Sequence, residues 1–479
     1  MNIKIYIYII LVMSITVIGA DAANVTVKNR QILVNGNPFF VKSVGYSPVP
    51  IGIDPEFTYP YGDYFIVDNK IIYNRDIPLL KKMGTNTIRL WGWQNNLNHT
   101  DFLNRARSNG IYVIVTFWMG PSVYGDISSS GARATIKKNF RDMVKAHKNN
   151  SAVLMWAIGN ELNAPWMYGN RLNDLFSLIN EMALEAHSEE GKNYHPVTTV
   201  LADIDIINTI TTYNSSTTNL DVWSVDPPVD YNTAHSKTEN FDITMYRGRS
   251  FGTFFKDYAN ISRKPLLILE YGIDAYDDKN KTEYEFIGPA YQAIYAKDLW
   301  NDIKRNSNIT SGGSIMAYSD EWWKGKHGQV RSGCPDYDSS SHSDCGYPIN
   351  THPDGYANEE WWGIMRIKDN GTGPDIIQPR AVYNTLKLMW TPPASVTNLK
   401  NITYARTYIN WTWTDPKDSD FSKVMIYLNG QYKGNVLKGR QFFNATNLKN
   451  GTYYKIGTHT VDTYGNINQT WRNHTAKTK

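Results

Sequence analysis

Cysteine is almost missing from this chain of 479 residues, where only Cys334 and Cys345 occur. Two cysteines exclude a disulfide-built miniprotein, and their spacing matches none of the usual zinc patterns even with His327 and His342 nearby. In a stretch rich in Ser, Asp, Gly and Pro they predict one disulfide closing a loop. Charge is scarce as well: 20% of the residues are charged, the formal net charge is +4, and no Lys/Arg-rich run occurs. That excludes nucleic acid and an anionic membrane surface as implied partners. Beyond residue 22 no segment approaches the length of apolar chain that spans a bilayer, so no membrane span is expected in the mature chain. No GxGxxG or Walker-type loop follows a strand-like run, which leaves a nucleotide without a seat; no cofactor and no metal is expected.

Aromatic residues, in contrast, are abundant. Fifteen Trp and 32 Tyr exceed what a core of this size needs, so some rings are expected to face a ligand. With 41% apolar residues the chain can bury a large core, which excludes a disordered scaffold. Residues 5–20 are almost wholly apolar behind Lys4, and Ala20-Asp21-Ala22 supplies the small-x-small pattern of a signal peptidase site. Residues 1–22 are therefore read as a signal peptide cleaved after Ala22, with an uncleaved anchor as the alternative. Fourteen Asn-x-Ser/Thr triplets, Asn24, Asn98, Asn214, Asn260, Asn401 and Asn410 among them, agree with a secreted or cell-surface glycoprotein.

Short β-branched runs alternate with helix-like segments from residue 23 to 390. The runs fall at Phe39 to Gly45, Thr87 to Trp91, Ile111 to Trp118, Ala152 to Gly159, Val197 to Ala202, Phe241 to Met245, Pro265 to Glu270 and Gly313 to Tyr318. Eight such repeats predict an α/β fold, a (β/α)₈ TIM barrel, in preference to an open doubly wound sheet. The sixth repeat is ambiguous, because Leu220 to Val225 also reads as a strand and Asp226 to Asn240 as an insertion. After Trp390, Thr391-Pro392-Pro393 ends a helix and the pattern changes to hairpins, so 391–479 is expected to form a small all-β sandwich. With Trp411 in a second-strand position, Leu448 before a turn, and Val461-Asp462 and Gly465-Asn466 closing the pattern begun at Tyr453, this part resembles fibronectin type III modules. Trp411, Trp413, Tyr453 and Tyr464 are expected to fill its core. The resemblance implies a spacer or a cell-surface or wall attachment, and no chemistry.

Chemistry is carried by two strand ends. Trp156-Ala157-Ile158-Gly159-Asn160-Glu161 and Leu266-Leu267-Ile268-Leu269-Glu270-Tyr271 each deliver a glutamate at the carboxyl end of an apolar run, the face on which barrel enzymes build their sites. Retaining glycoside hydrolysis needs such a pair about 5–5.5 Å apart, one carboxyl neutral to protonate the leaving oxygen and one ionised to attack the anomeric carbon. Each glutamate alone is as well explained by a buried ion pair or a helix cap.

On these residues the core resembles the clan of (β/α)₈ retaining glycoside hydrolases that includes the family 2 and family 5 enzymes and the fungal β-1,3-glucanosyltransferases. The resemblance implies Glu161 as acid/base, Asn160 as donor to the sugar 2-hydroxyl, and Glu270 as nucleophile. Arg89, in Thr87-Ile88-Arg89-Leu90-Trp91, resembles the arginine that orients the nucleophile. Tyr246 resembles the strand-six tyrosine that holds it ionised, although Thr244 stands where relatives carry Asn. Trp322 and Trp323 resemble the aromatic floor of the sugar site. Flat rings pack on the C–H faces of pyranoses. Trp91, Trp93, Trp118, Trp166, Trp322, Trp323, Trp361 and Trp362 are expected around the barrel mouth, about half of them on substrate, with one of each adjacent pair packed inward. Asp320 and Glu321 are rival carboxylates for the sugar site.

These readings predict a secreted retaining β-glycoside hydrolase or transglycosylase acting on a polysaccharide or oligosaccharide, β-glucan first and β-mannan second. The competing reading is a non-catalytic carbohydrate-binding or envelope scaffold at the cell surface.

Overall fold

The computed structural model describes residues 23–226, 249–326, 340, 342, 346–348, 352–371, 373–403 and 405–479. Eight parallel strands close into a barrel: β1 Val41–Gly45, β2 Thr87–Arg89, β3 Tyr112–Phe117, β4 Val153–Ile158, β5 Val197–Leu201, β6 Val222–Val225, β7 Leu266–Tyr271 and β8 Thr310–Ile315. Helices cover it: α1 Lys70–Met83, α2 Thr100–Ser108, α3 Ser130–His147, α4 Leu172–Glu190, α5 Ile206–Tyr213, α6 Phe254–Ile261, α7 Tyr291–Arg305 and α8 Ala381–Trp390. Both faces of the strands are covered, which explains their unbroken apolar runs: β3 and β4 are buried at every position. Along β3 the pleat divides the side chains. Val113, Val115 and Phe117 meet the helices, whereas Tyr112 and Ile114 join the barrel interior with Leu154, Ala157 and Val200. An antiparallel hairpin, Val25–Lys28 with Gln31–Val34, places Val25 and Ile32 in that interior cluster and so plugs the barrel from one end.

The sixth strand is the run ending at Val225, which pairs in parallel with β5 and β7. Phe241 to Met245, assigned to the sixth repeat from its pattern, lies outside the described residues, as do Tyr246 and both cysteines. β8 begins at Thr310, three residues earlier than its pattern suggests. Thr310-Ser311-Gly312 lies before the predicted run, yet every one of these residues is buried in the strand. The glycines are needed there: a Cβ on Gly312 would lie 2.1 Å from the Val41 carbonyl oxygen of the adjoining strand. Among the described residues no helix is long and apolar enough to cross a membrane.

The C-terminal part has two antiparallel sheets. β9 Thr397–Asn401, β10 Ile409–Thr414 and β13 Phe442–Ala445 form one in the order β9-β10-β13. β11 Phe421–Leu428, β12 Gln431–Leu437, β14 Tyr453–Asp462 and β15 Arg472–Lys477 form the other in the order β12-β11-β14-β15. Trp411, Trp413, Val424, Ile426 and Ile456 from both sheets share one core, which makes this part a sandwich. The β11–β12 hairpin turns on Asn429 and Gly430, both with positive φ, as an Asn-Gly turn requires. Two aromatic expectations fail. Tyr453 is 67% exposed, because the pleat of β14 turns Tyr454 and Ile456 inward in its place. Tyr464 packs against the barrel's helical layer instead of the sandwich core.

Candidate active site

The carboxyl end of β4 is shaped by a turn. Gly159 N–H donates to the Phe117 carbonyl of β3, and Glu161 N–H donates to the Val200 carbonyl of β5, each at 2.9 Å. Between these ties Glu161 is held at φ 50°, in the left-handed region that costs a side-chain-bearing residue on the order of 1–3 kcal/mol. Strain of this kind persists where the surroundings over-determine the backbone, and here it fixes the direction in which one carboxyl group points.

Arg89, at the end of β2, organises the facing side. Its guanidinium is fully buried; Nη1 donates to Glu270 Oε1 at 2.8 Å and to the Leu269 carbonyl at 3.0 Å. Nη2 donates to Asn160 Oδ1. One planar cation therefore ties the carboxylate of β7 to the amide that follows β4. Because the amide oxygen of Asn160 is committed to Arg89, its Nδ2 hydrogens are left as the donor for a ligand. The Trp91 ring lies under the guanidinium, 4.7 Å from its centre. Trp91 in turn rests on the end of β1, where a Cβ on Gly45 would stand 2.3 Å from the indole.

Glu161 titrates far from its usual range. Burial, then the charges of Glu270 and Glu359, push it up to about 8 against the opposing pull of Arg89 and Lys324. Glu161 is thus a neutral acid at neutral pH, while Glu270 is ion-paired to Arg89. The arrangement suits the division of labour between two carboxyl groups.

The rival carboxylates are occupied elsewhere. Both oxygens of Asp320 accept from Arg380, and Asp320 Oδ1 also accepts from Gly363 N–H. Glu321 pairs with Lys324 at 3.0 Å. Lys324, which also reaches Glu359 at 3.2 Å, is held charged because these two carboxylates outweigh the effect of its burial.

The tryptophans divide. Trp118 and Trp166, beyond the ends of β3 and β4, are 42% and 53% exposed. Trp322 stacks on His342, whose ring lies 3.3 Å from that of Trp361, and Trp323 packs beside Val49, Tyr64 and Ile72. Trp93 and Trp362 turn inward; Trp93 is stacked 3.6 Å from His99 in the core. Of the expected binding residues the structure brings Arg89, Asn160, Glu161, Glu270 and Trp91 together, and Tyr246 falls outside the described residues. Sequence reasoning passed over Asp203 and Asp226, which follow β5 and β6, and the exposed Phe57, Tyr59 and Tyr61 on the loop after β1. The signal for Asp226 was present: Val222-Trp223-Ser224-Val225 is an apolar run delivering a carboxylate, as at Glu161 and Glu270. Among the described residues no group of three or more His, Cys, Asp or Glu is disposed to hold a metal ion.

Residues 14–331 match the family model described as glucanosyltransferase, glycoside hydrolase family 72. The chain belongs to this family. Among glucanosyltransferase relatives, the 1,3-beta-glucanosyltransferase gas2 of Schizosaccharomyces pombe is 22% identical over 313 residues, 62% of this chain and 60% of its own length. The 1,3-beta-glucanosyltransferase gas5 of the same yeast is 24% identical over 310 residues, covering 63% and 56%. The chain thus spans less than two thirds of the length of these relatives. Among solved structures, a β-glucuronidase of Parabacteroides merdae is 14% identical, with a TM-score of 0.48 over 95% of this chain and 51% of its own.

Proposed function

We propose that this family 72 protein is a retaining β-1,3-glucanosyltransferase. Glu161 gives its proton to the glycosidic oxygen as Glu270 attacks the anomeric carbon, so the C–O bond breaks and a covalent glycosyl-enzyme forms. Glu161, now a carboxylate, takes the proton from an incoming hydroxyl that displaces Glu270 with retained configuration; a sugar hydroxyl as acceptor gives transfer, and water gives hydrolysis. Arg89 aims the nucleophile, and Asn160 donates to the 2-hydroxyl. Trp91, Trp118, Trp166, Trp322 and Trp323 supply ring faces for successive glucose units, and Tyr246 is kept as a further partner of the nucleophile. The single observation that carries the reading is the Arg89 guanidinium, which joins Glu270 to the residue preceding a protonated Glu161. Family membership and relatives named as 1,3-beta-glucanosyltransferases support glucan over mannan.

Secretion by a signal peptide at 1–22, glycosylation, the Cys334–Cys345 disulfide and wall attachment through the sandwich belong to the same proposal. The fibronectin type III reading is supported by seven strands divided three and four over one core.

Incubation with β-1,3-gluco-oligosaccharides tests the function. The expected products include chains longer than the substrate, and Glu270→Gln abolishes them. Unchanged β-1,3-, β-1,4- and β-1,6-linked oligosaccharides, with binding intact, would favour the non-catalytic scaffold.

A further inference from the structure

Asp226 directly follows β6 and is 5% exposed. Among the described residues neither of its carboxyl oxygens has a hydrogen-bond partner. Its backbone N–H is fixed to the Leu201 carbonyl of β5 at 2.9 Å, so the residue is not a loose end of the strand. Its Oδ1 lies 3.9 Å from Arg89 Nη1, the same nitrogen that donates to Glu270 at 2.8 Å. That nitrogen is already committed to Glu270 and the Leu269 carbonyl, leaving Asp226 near the cation without a bond to it. A buried carboxylate without hydrogen bonds is among the costliest groups a protein can keep, and neutralisation by a proton is the ordinary outcome. The charged and titratable groups facing it agree. Burial and then Glu270 raise Asp226 well above the usual carboxylate range, Arg89 opposes, and Glu161 and Asp203 add to the rise. Asp203 is raised in the same sense by its own burial and by Glu161. Arg89 can balance one of these acids, and Glu270 holds that place.

We propose that Asp226 is a positioning residue for the nucleophile: a neutral carboxylic acid whose O–H donates a hydrogen bond across to Glu270 and holds it, opposite Arg89, for attack. A protonated carboxyl is acceptor and donor at once, so it can serve a carboxylate that an ionised aspartate would repel. The donor is withdrawn when Asp226 ionises, and a second negative charge then stands against Glu270. The inference rests on Glu270 being the nucleophile.

The test isolates the step in which Glu270 acts, using a 2-fluoro β-glucosyl fluoride, whose leaving group needs no proton from Glu161. Labelling of Glu270 is followed by mass spectrometry between pH 5 and 9 in the full-length wild type, Asp226→Asn and Asp226→Ala. Wild type is expected to label at Glu270 and to slow on the alkaline side as Asp226 ionises. Asp226→Asn, a neutral donor of the same shape, labels within about threefold of wild type at pH 6 and shows a smaller alkaline fall, the remainder coming from Glu161. Asp226→Ala labels about ten- to a hundredfold more slowly, the worth of a hydrogen bond to a charged group. An Asn variant as slow as the Ala variant, an Ala variant as fast as wild type, or an alkaline fall no smaller in Asp226→Asn than in wild type overturns the proposal. The Asn profile decides the matter even if Asp226→Ala does not fold. Wild type that labels at another carboxyl overturns the Glu270 reading itself and this inference with it.

Discussion

Glu161 carries a stability cost along with the acid role proposed for it. Its carboxyl is raised from 4.5 to about 8 by burial and neighbouring negative charge. Between those values the unfolded chain has released the proton and the folded chain still holds it, so stability falls as pH rises through this window. Glutamine has the shape without the charge. Glu161→Gln is therefore expected to match wild type near pH 4 and to melt a few degrees higher at pH 8 to 9, as scanning calorimetry reads it. A gap that is equal at both ends would mean that Glu161 ionises normally. The sequence made this residue visible as a polar stop after an apolar strand. Its left-handed backbone and its distance from neutralising charge depend on Val200, Glu270 and Glu359, which lie far along the chain.

At the scale of elements, the site depends on what strand ends leave room for. Gly45 at the end of β1 accommodates Trp91, which underlies Arg89, which holds Glu270. Gly45→Ala is expected to cost about 1–3 kcal/mol in urea unfolding by overpacking. It is also expected to lower kcat about tenfold or more through displacement of the guanidinium. Full activity would break this chain of support. Legibility varied between elements for physical reasons. β3 and β4 were plain because both of their faces are buried. α5, with the sequence Ile206-Ile207-Asn208-Thr209-Ile210-Thr211-Thr212-Tyr213, is hard to read as a helix from its pattern because β-branched residues favour strands. It is a helix because Ile206 and Ile210 are buried on one face, while Thr211 and Thr212 bond back to the carbonyls of Ile207 and Asn208.

For the whole molecule, the question is how the sandwich is held to the barrel. A cleft of about 650 Å³, lined in part by Phe40, Lys42, Trp300, Lys304, Met389 and Tyr464, lies between them, so the junction is not a continuous packed core. Hydrogen bonds cross it or brace it: Asn466 Nδ2 to the Met389 carbonyl and Asn468 Nδ2 to the Pro393 carbonyl, both 2.8 Å. Each is worth about 1 kcal/mol. The double variant Asn466→Ala/Asn468→Ala is expected to weaken the junction by about 2 kcal/mol and to split thermal unfolding into a lower sandwich transition and an upper barrel transition. A single unchanged transition would show that coupling is carried elsewhere.

By itself the sequence determined the repeating strand–helix rhythm, the two glutamates at strand ends, the arginine of β2 and the Asn-Gly hairpin. These are local signals: burial on both faces, a polar stop, a turn that needs positive φ. Only the tertiary structure decided that Val222–Val225 closes the barrel, that Asp320 belongs to Arg380, and that Tyr453 faces solvent. The same holds for Asp226, which stands beside Arg89 and Glu270 from 137 and 44 positions away. Closure of a parallel barrel gathers the ends of distant strands on one face, and the electrostatics of that face depend on which charges meet there. No window of the chain contains that information.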